Sequence, residues 1–225
     1  MKSLLLLFTF SFFSLGIFGQ NLNLTHAANY KRYAADNAKE HKKVVFIGNS
    51  ITEGWVRVNP DFFAANNYIG RGIGGQTSPQ LLLRFRQDVL NLHPKAVVIN
   101  IGINDIAENT GEYNMQYTLD CIQSMAELAD YNGIKVILSS VLPAIEFGWR
   151  KDVTDVPQKV DALNAKIKAY SEEKGFAYID YNTPMRDENG GLIKEYGRDT
   201  VHPNKEGYNV MEKIANEVVR KVIAY

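Results

Sequence analysis

Apolar residues fall along this chain in short unbroken runs rather than in strict alternation. The clearest are "VVFIG" at Val44–Gly48, "AVVINIG" at residues 96–102, "KVILSSVLP" at residues 135–143 and "FAYID" at residues 176–180. A weaker run, "NYIGRGI" at residues 67–73, lies between the first two. Runs of β-branched and aromatic residues without a polar face predict strands covered on both sides, as in a parallel sheet.

Between the runs the spacing of apolar positions becomes helical. Ser78-Pro79 opens "QLLLRFRQDVLNL" like an N-cap followed by proline in the first turn. Residues 113–131 form a second such segment, which ends at Asn132-Gly133 as helices do. Val156–Lys174 is a third, stopped by Gly175, and Lys205–Ile223 closes the chain. Residues 29–42 are expected to add a helix ahead of the first strand. Strand alternating with helix predicts an α/β fold with a central parallel sheet of about five strands.

The first twenty residues differ in kind. Met1-Lys2-Ser3 carries one positive charge, residues 4–18 are almost wholly apolar, and Gly19-Gln20 precedes a polar stretch. That order predicts a secretory signal peptide over residues 1–20, with a single folded domain over residues 21–225. The apolar stretch is short for a spanning helix, which needs about twenty residues. An exported protein, periplasmic or extracellular, with no membrane contact after cleavage is the expectation. The single cysteine, Cys121, allows no internal disulfide and falls at a helical apolar position, where it reads as core filler. Lys+Arg and Asp+Glu both number 25, so charge gives no reason to expect nucleic acid or an anionic membrane as partner.

In doubly wound sheets, ligands gather at the carboxyl ends of the strands. The predicted strands deliver Gly48-Asn49-Ser50, then "GIGGQT", then Gly102-Ile103-Asn104-Asp105, then "AIEFGWR" and finally "GRDTVHPNKEGY". A serine hydroxyl needs a base, usually histidine, oriented by a carboxylate. The histidines are His26, His41, His93 and His202. His41 lies in a charged stretch and His93 at a helix end, whereas His202 follows Asp199 by three residues. Asp199 and Asn204 could equally be a turn residue and a helix cap. Acyl transfer also needs donors for an oxyanion, and the Ser50 and Gly75 backbone N–H groups and the Asn104 side chain are candidates. The glycine-rich turns could alternatively cradle a phosphate or flavin in a non-catalytic module. A degenerate carbohydrate-binding protein is a further alternative.

Taken together, "FIGNSITEGW", "RGIGGQTS", "NIGINDI" and "DTVHPNKEGY" resemble, in order, the four blocks of the SGNH hydrolases, the GDSL-type esterases and lipases. The resemblance implies a flavodoxin-like three-layer α/β/α sandwich and ester hydrolysis through an acyl-enzyme, with no metal and no organic cofactor. It implies Ser50 as nucleophile, His202 as base, Asp199 as its orienting carboxylate, and Ser50, Gly75 and Asn104 as the oxyanion hole. Gly74 is the competing choice for the glycine donor. The first block departs from the pattern, with Asn49 where the family name implies aspartate.

No apolar lid segment interrupts the core, which favours short acyl groups, acetyl above all. The loop holding Phe147, Trp149 and Arg150 lies close to the predicted site; its aromatics would suit the faces of an oligosaccharide ester, or equally pack against the next helix. A small-molecule or carbohydrate ester is therefore the expected partner, with a lysophospholipase-type or acetylated-phospholipid substrate as the alternative.

Overall fold

A computed structural model describes residues 23–40 and 44–224. The predicted leader and His41 lie outside the described residues. Five strands form one all-parallel sheet: β1 Val44–Gly48, β2 Tyr68–Gly72, β3 Ala96–Asn100, β4 Lys135–Ser139 and β5 Ala177–Ile179, in the order β2-β1-β3-β4-β5. This is the flavodoxin-like order, and it reverses direction between β1 and β3.

Six longer helices flank the sheet: α1 Ser50–Val58, α2 Pro60–Asn66, α3 Ser78–Asp88, α4 Met115–Tyr131, α5 Val156–Lys174 and α6 Lys205–Ile223. α4 packs between α3 and α5, while α1, α2 and α6 group together. Phe46 of β1 meets Trp55 and Phe63 edge-on, with ring centroids 5.6 Å away in both cases. Trp55 in turn stacks on Tyr208 of α6 at 5.9 Å. β1 and β3 are buried along their whole lengths, as their continuous apolar runs require.

Several expected boundaries move. The predicted first helix is instead a series of turns with one helical turn at Ala34–Asn37. Its conformation is set by side chains that tie it to the sheet edge: Tyr33 donates its hydroxyl to the Gly72 carbonyl, and Asn37 pairs with Asp88 and Arg71. β4 stops at Ser139, where the Ser140 amide turns to the Ile179 carbonyl and the Ser140 hydroxyl accepts from Tyr181 and Asn182. α1 and α2 were not expected. Their aromatic and β-branched content is a weak helical signal, and burial of Trp55, Phe62 and Phe63 stabilises them instead.

Candidate active site

Ser50 is the first residue of α1, two residues beyond the end of β1. The side chain of Asn49 caps the helix, its Oδ1 accepting the Ile51 N–H at 3.0 Å. A neutral amide therefore fills the cap that aspartate would fill, and the departure from the family pattern leaves the turn intact. The end of β2 lies flush against this turn: a Cβ on Gly72 would sit 2.1 Å from the Glu53 backbone nitrogen. Only glycine lets the strand pass there.

His202 arrives from a loop that closes on itself. Asp199 Oδ1 accepts the backbone N–H groups of Val201 at 2.9 Å and His202 at 2.8 Å. The same carboxylate lies 2.9 and 3.0 Å from His202 Nδ1, and His202 Nε2 lies 2.9 Å from Ser50 Oγ. Asp199 thus makes the turn and meets the imidazole at once, and the turn is what aims the ring. Asn204 likewise caps α6, accepting from Gly207 at 3.0 Å. A carboxylate at Nδ1 fixes the proton there and leaves Nε2 as the acceptor facing Ser50. Burial works to raise the Asp199 carboxyl. It is outweighed by the His202 and Val201 backbone N–H groups and the His202 side chain, which hold it below its ordinary value.

The donor side is built from the loops after β2 and β3. Asn104 is buried and gives one Nδ2 proton to the Gln76 carbonyl at 2.9 Å, which leaves the second proton of that amide free for another acceptor. Gly74 runs beside Ser50, its Cβ position 3.8 Å from Ser50 Cβ, but its N–H is engaged by Glu53 Oε2 at 2.9 Å. Gly75, in the left-handed region at φ 76°, has an N–H with no partner among the described residues. Its carbonyl accepts from Asn109 Nδ2 at 3.1 Å.

Behind these loops sits an unexpected brace. Arg84, fully buried on α3, donates to the Gly48 carbonyl at 2.9 Å, to Gln76 Oε1 at 2.7 Å and to Asp88 at 2.8 Å. One guanidinium thus joins the end of β1 to the loop after β2. A signal existed in the sequence: Arg84 and Asp88 stand four apart on the same stripe as Leu81 and Phe85. Asp105 plays a similar part beside Asn104, accepting the Ser78 amide and hydroxyl and the Thr118 hydroxyl. Burial pushes its carboxyl up to about 6 against the pull of those donors.

The loop after β4 divides its residues unequally. Phe147 is fully buried, which matches the packing alternative rather than a substrate-facing aromatic, and it supports Trp149 at a centroid distance of 5.3 Å. Trp149 is 46% exposed, stands 6.2 Å from the His202 ring and donates its indole N–H to Asn109 Oδ1 at 2.9 Å. Arg150 clamps the loop to the Ala107 and Glu108 carbonyls and the Glu108 and Asp152 carboxylates. It holds the wall in place rather than facing the hydroxyl.

Ser50 and His202 line a cleft of about 120 Å³ with Gly54, Arg57, Arg198 and Tyr208 among its walls. A larger cavity of about 500 Å³ lies near Leu83, Asp105 and Tyr117, and neither Ser50 nor His202 lines it. Among the described residues, no group of three or more His, Cys, Asp or Glu side chains could hold a metal. No helix of the described residues is long and apolar enough to cross a membrane.

The model of the GDSL-like Lipase/Acylhydrolase family matches residues 46–210. The chain belongs to this family. Membership brings with it the chemical class, hydrolysis of carboxylic esters. The fold is similar to that of a GDSL-like lipase from Bacteroides thetaiotaomicron, 56% identical, at TM-score 0.84 over 87% of this chain and 98% of that one. An uncharacterized lipoprotein of Bacillus subtilis is 31% identical over 50% of this chain and 54% of its own length. An acetylxylan esterase of Xylanibacter ruminicola is 20% identical over 79% of this chain and 43% of its own length. The chain thus spans about half the length of these curated relatives.

Proposed function

We propose that this GDSL-family acylhydrolase is an exported esterase that removes short acyl groups, acetyl above all, from carbohydrate. The observation that carries the reading is the unbroken chain Asp199–His202–Ser50, with contacts of 2.9 Å at both joints. In this scheme Ser50 Oγ attacks the ester carbonyl carbon as its proton passes to His202 Nε2. The oxyanion is held by the Ser50 and Gly75 amides and the free proton of Asn104 Nδ2. His202 then protonates the departing alcohol oxygen, and a water repeats the cycle on the acyl-enzyme. Asp199 stays ionised throughout and stabilises the imidazolium.

Three observations support the finer claims. Trp149 offers an exposed aromatic face next to His202, and aromatic faces suit sugars. The acetylxylan esterase among the relatives supports acetylated carbohydrate, and the lipoprotein relative supports export together with the leader-like residues 1–20.

Acetate release from acetylated xylo-oligosaccharide, measured against hydrolysis of a medium-chain ester, tests the reading. Faster release of acetate, abolished by Ser50→Ala, is expected. Equal hydrolysis by Ser50→Ala and the parent would remove Ser50 from the mechanism, and preference for the longer chain would remove the short-acyl claim.

A further inference from the structure

We infer that the cleft beside Ser50 and His202 is a subsite for an anionic group, a carboxylate or a phosphate, on the alcohol half of the ester, held by Arg57 and Arg198. The inference rests on ester hydrolysis at Ser50 as proposed above, and it narrows the substrate to charged alcohols.

Positive charge at this cleft exceeds what the nearby acids match. Arg57 and Arg198 line the same small cleft as the nucleophile and its base. Both guanidinium groups are near enough to Tyr208, another wall of the cleft, for their positive charge to act on its phenol. The acids around them are already engaged. Glu53, which also lines the cleft, accepts the Gly74 N–H at 2.9 Å and pairs with Arg32 at 3.3 Å. Glu212 accepts from Trp55 Nε1 at 3.2 Å and Asn59 Nδ2 at 2.6 Å. Asp199 serves His202 Nδ1 at 2.9 Å, and Arg198 reaches the same oxygen only at 3.6 Å. The Arg57 side chain has no hydrogen bond or ion pair among the described residues. The Tyr208 hydroxyl is committed to the Ile51 carbonyl at 2.9 Å. What remains for a ligand is the unpaired Arg57 guanidinium, with Arg198 held only by its longer contact to Asp199; the planar forks of both match a carboxylate or phosphate.

The position of the cleft assigns it to the alcohol half. Gly75 and Asn104, two of the three proposed oxyanion donors, are not among its walls, whereas His202 and Pro203 are. The leaving oxygen must meet His202 Nε2 to take its proton, so whatever is bonded to that oxygen extends past His202 into this space. Both arginines are solvent-exposed, so the attraction is modest and falls with salt.

The test compares kcat/KM of the purified protein on three acetyl esters: an O-acetylated galacturonate oligosaccharide, acetylated glycerol phosphate and acetylated neutral xylo-oligosaccharide. At low ionic strength at least one anionic ester is expected to exceed the neutral one by about tenfold, mainly through KM. The better of the two identifies carboxylate or phosphate. The advantage should shrink in about 0.5 M NaCl, and Arg57→Glu should cut the anionic-to-neutral ratio by about tenfold or more. A ratio near one, a ratio insensitive to salt, or a ratio unmoved by Arg57→Glu overturns the inference. The 4-nitrophenyl esters of succinate and butyrate probe the acyl half, and a charge preference confined to them overturns the placement. A parent protein inert on every ester, 4-nitrophenyl acetate included, overturns the ester reading itself. Equal rates on charged and neutral esters overturn only the subsite.

Discussion

The carboxylate of Glu53 accepts the backbone N–H of Gly74 at 2.9 Å, one turn along the helix that Ser50 begins. Of two adjacent glycine amides beside Ser50, one is thereby occupied, and in the proposed scheme the other, Gly75, is left to the substrate. Arg32, 3.3 Å away, holds the same carboxylate from the N-terminal segment. Glu53 does not touch the reacting atoms in the proposed scheme; it positions the loop that does.

Glu53→Ala should therefore lower kcat by about tenfold while KM changes little, because a loosened donor weakens the transition state more than the ground state. Glu53→Gln retains an acceptor for Gly74 and should recover most of the loss. Steady-state kinetics on a chromogenic acetate read both. If Glu53→Ala altered KM alone, the carboxylate would belong to binding rather than to loop placement.

In the same proposed scheme Asn104 is a more direct donor. Truncation to alanine should cost about 10²–10³ in kcat, while Ser50 remains open to covalent labelling by a fluorophosphonate. A loss of labelling in step with activity would mean that the variant has disturbed Ser50 and His202 as well, through the freed Gln76 carbonyl.

Much of this site is legible in the sequence because its parts are local. Ser50 ends an apolar run, Asp199 and His202 stand three apart, and Asn104 follows a strand through Gly102. What escapes the sequence is bonding between loops. Glu53 meets Gly74 and Gln76 meets Asn104 across 21 and 28 residues, and such pairs leave no periodic trace. The segment 29–42 has helical spacing, yet Tyr33 and Asn37 bond to strand and helix residues far along the chain, so tertiary contacts override its local preference. Phe147 has the composition of a binding aromatic and the location of a core residue; only packing distinguishes it from Trp149.

Asp105 makes stability depend on pH. Its folded value of about 6 lies above its ordinary 3.8 because burial disfavours the charge. The protonated carboxyl is thus favoured by folding. The stabilisation is complete below pH ~4 and lost as pH rises through about 6, a change of about 3 kcal/mol. Urea unfolding of parent and Asp105→Asn from pH 4 to pH 8 checks it. The variant should lack this decline, so the stability difference should move in its favour with rising pH. A difference constant across that range would place the Asp105 carboxyl at its ordinary value.

Trp149 separates recognition of an alcohol from chemistry on an ester. Its indole is fixed by Asn109 Oδ1 at 2.9 Å and by Phe147 beneath it, and Asn109 in turn holds the Gly75 carbonyl at 3.1 Å. Removing the ring takes away an apolar face beside His202 but leaves Asn109 free to keep its hold on Gly75. Trp149→Ala should raise KM for an acetylated oligosaccharide by about fivefold or more, since an aromatic contact contributes about 1 kcal/mol. On 4-nitrophenyl acetate, which has no sugar to stack, the same variant should change kcat/KM much less. Asn109→Ala breaks both bonds at once and should impair both substrates, chiefly in kcat. Were Trp149→Ala to slow the two substrates equally, the ring would be acting through His202 or Gly75, and the aromatic face would have no part in choosing the substrate.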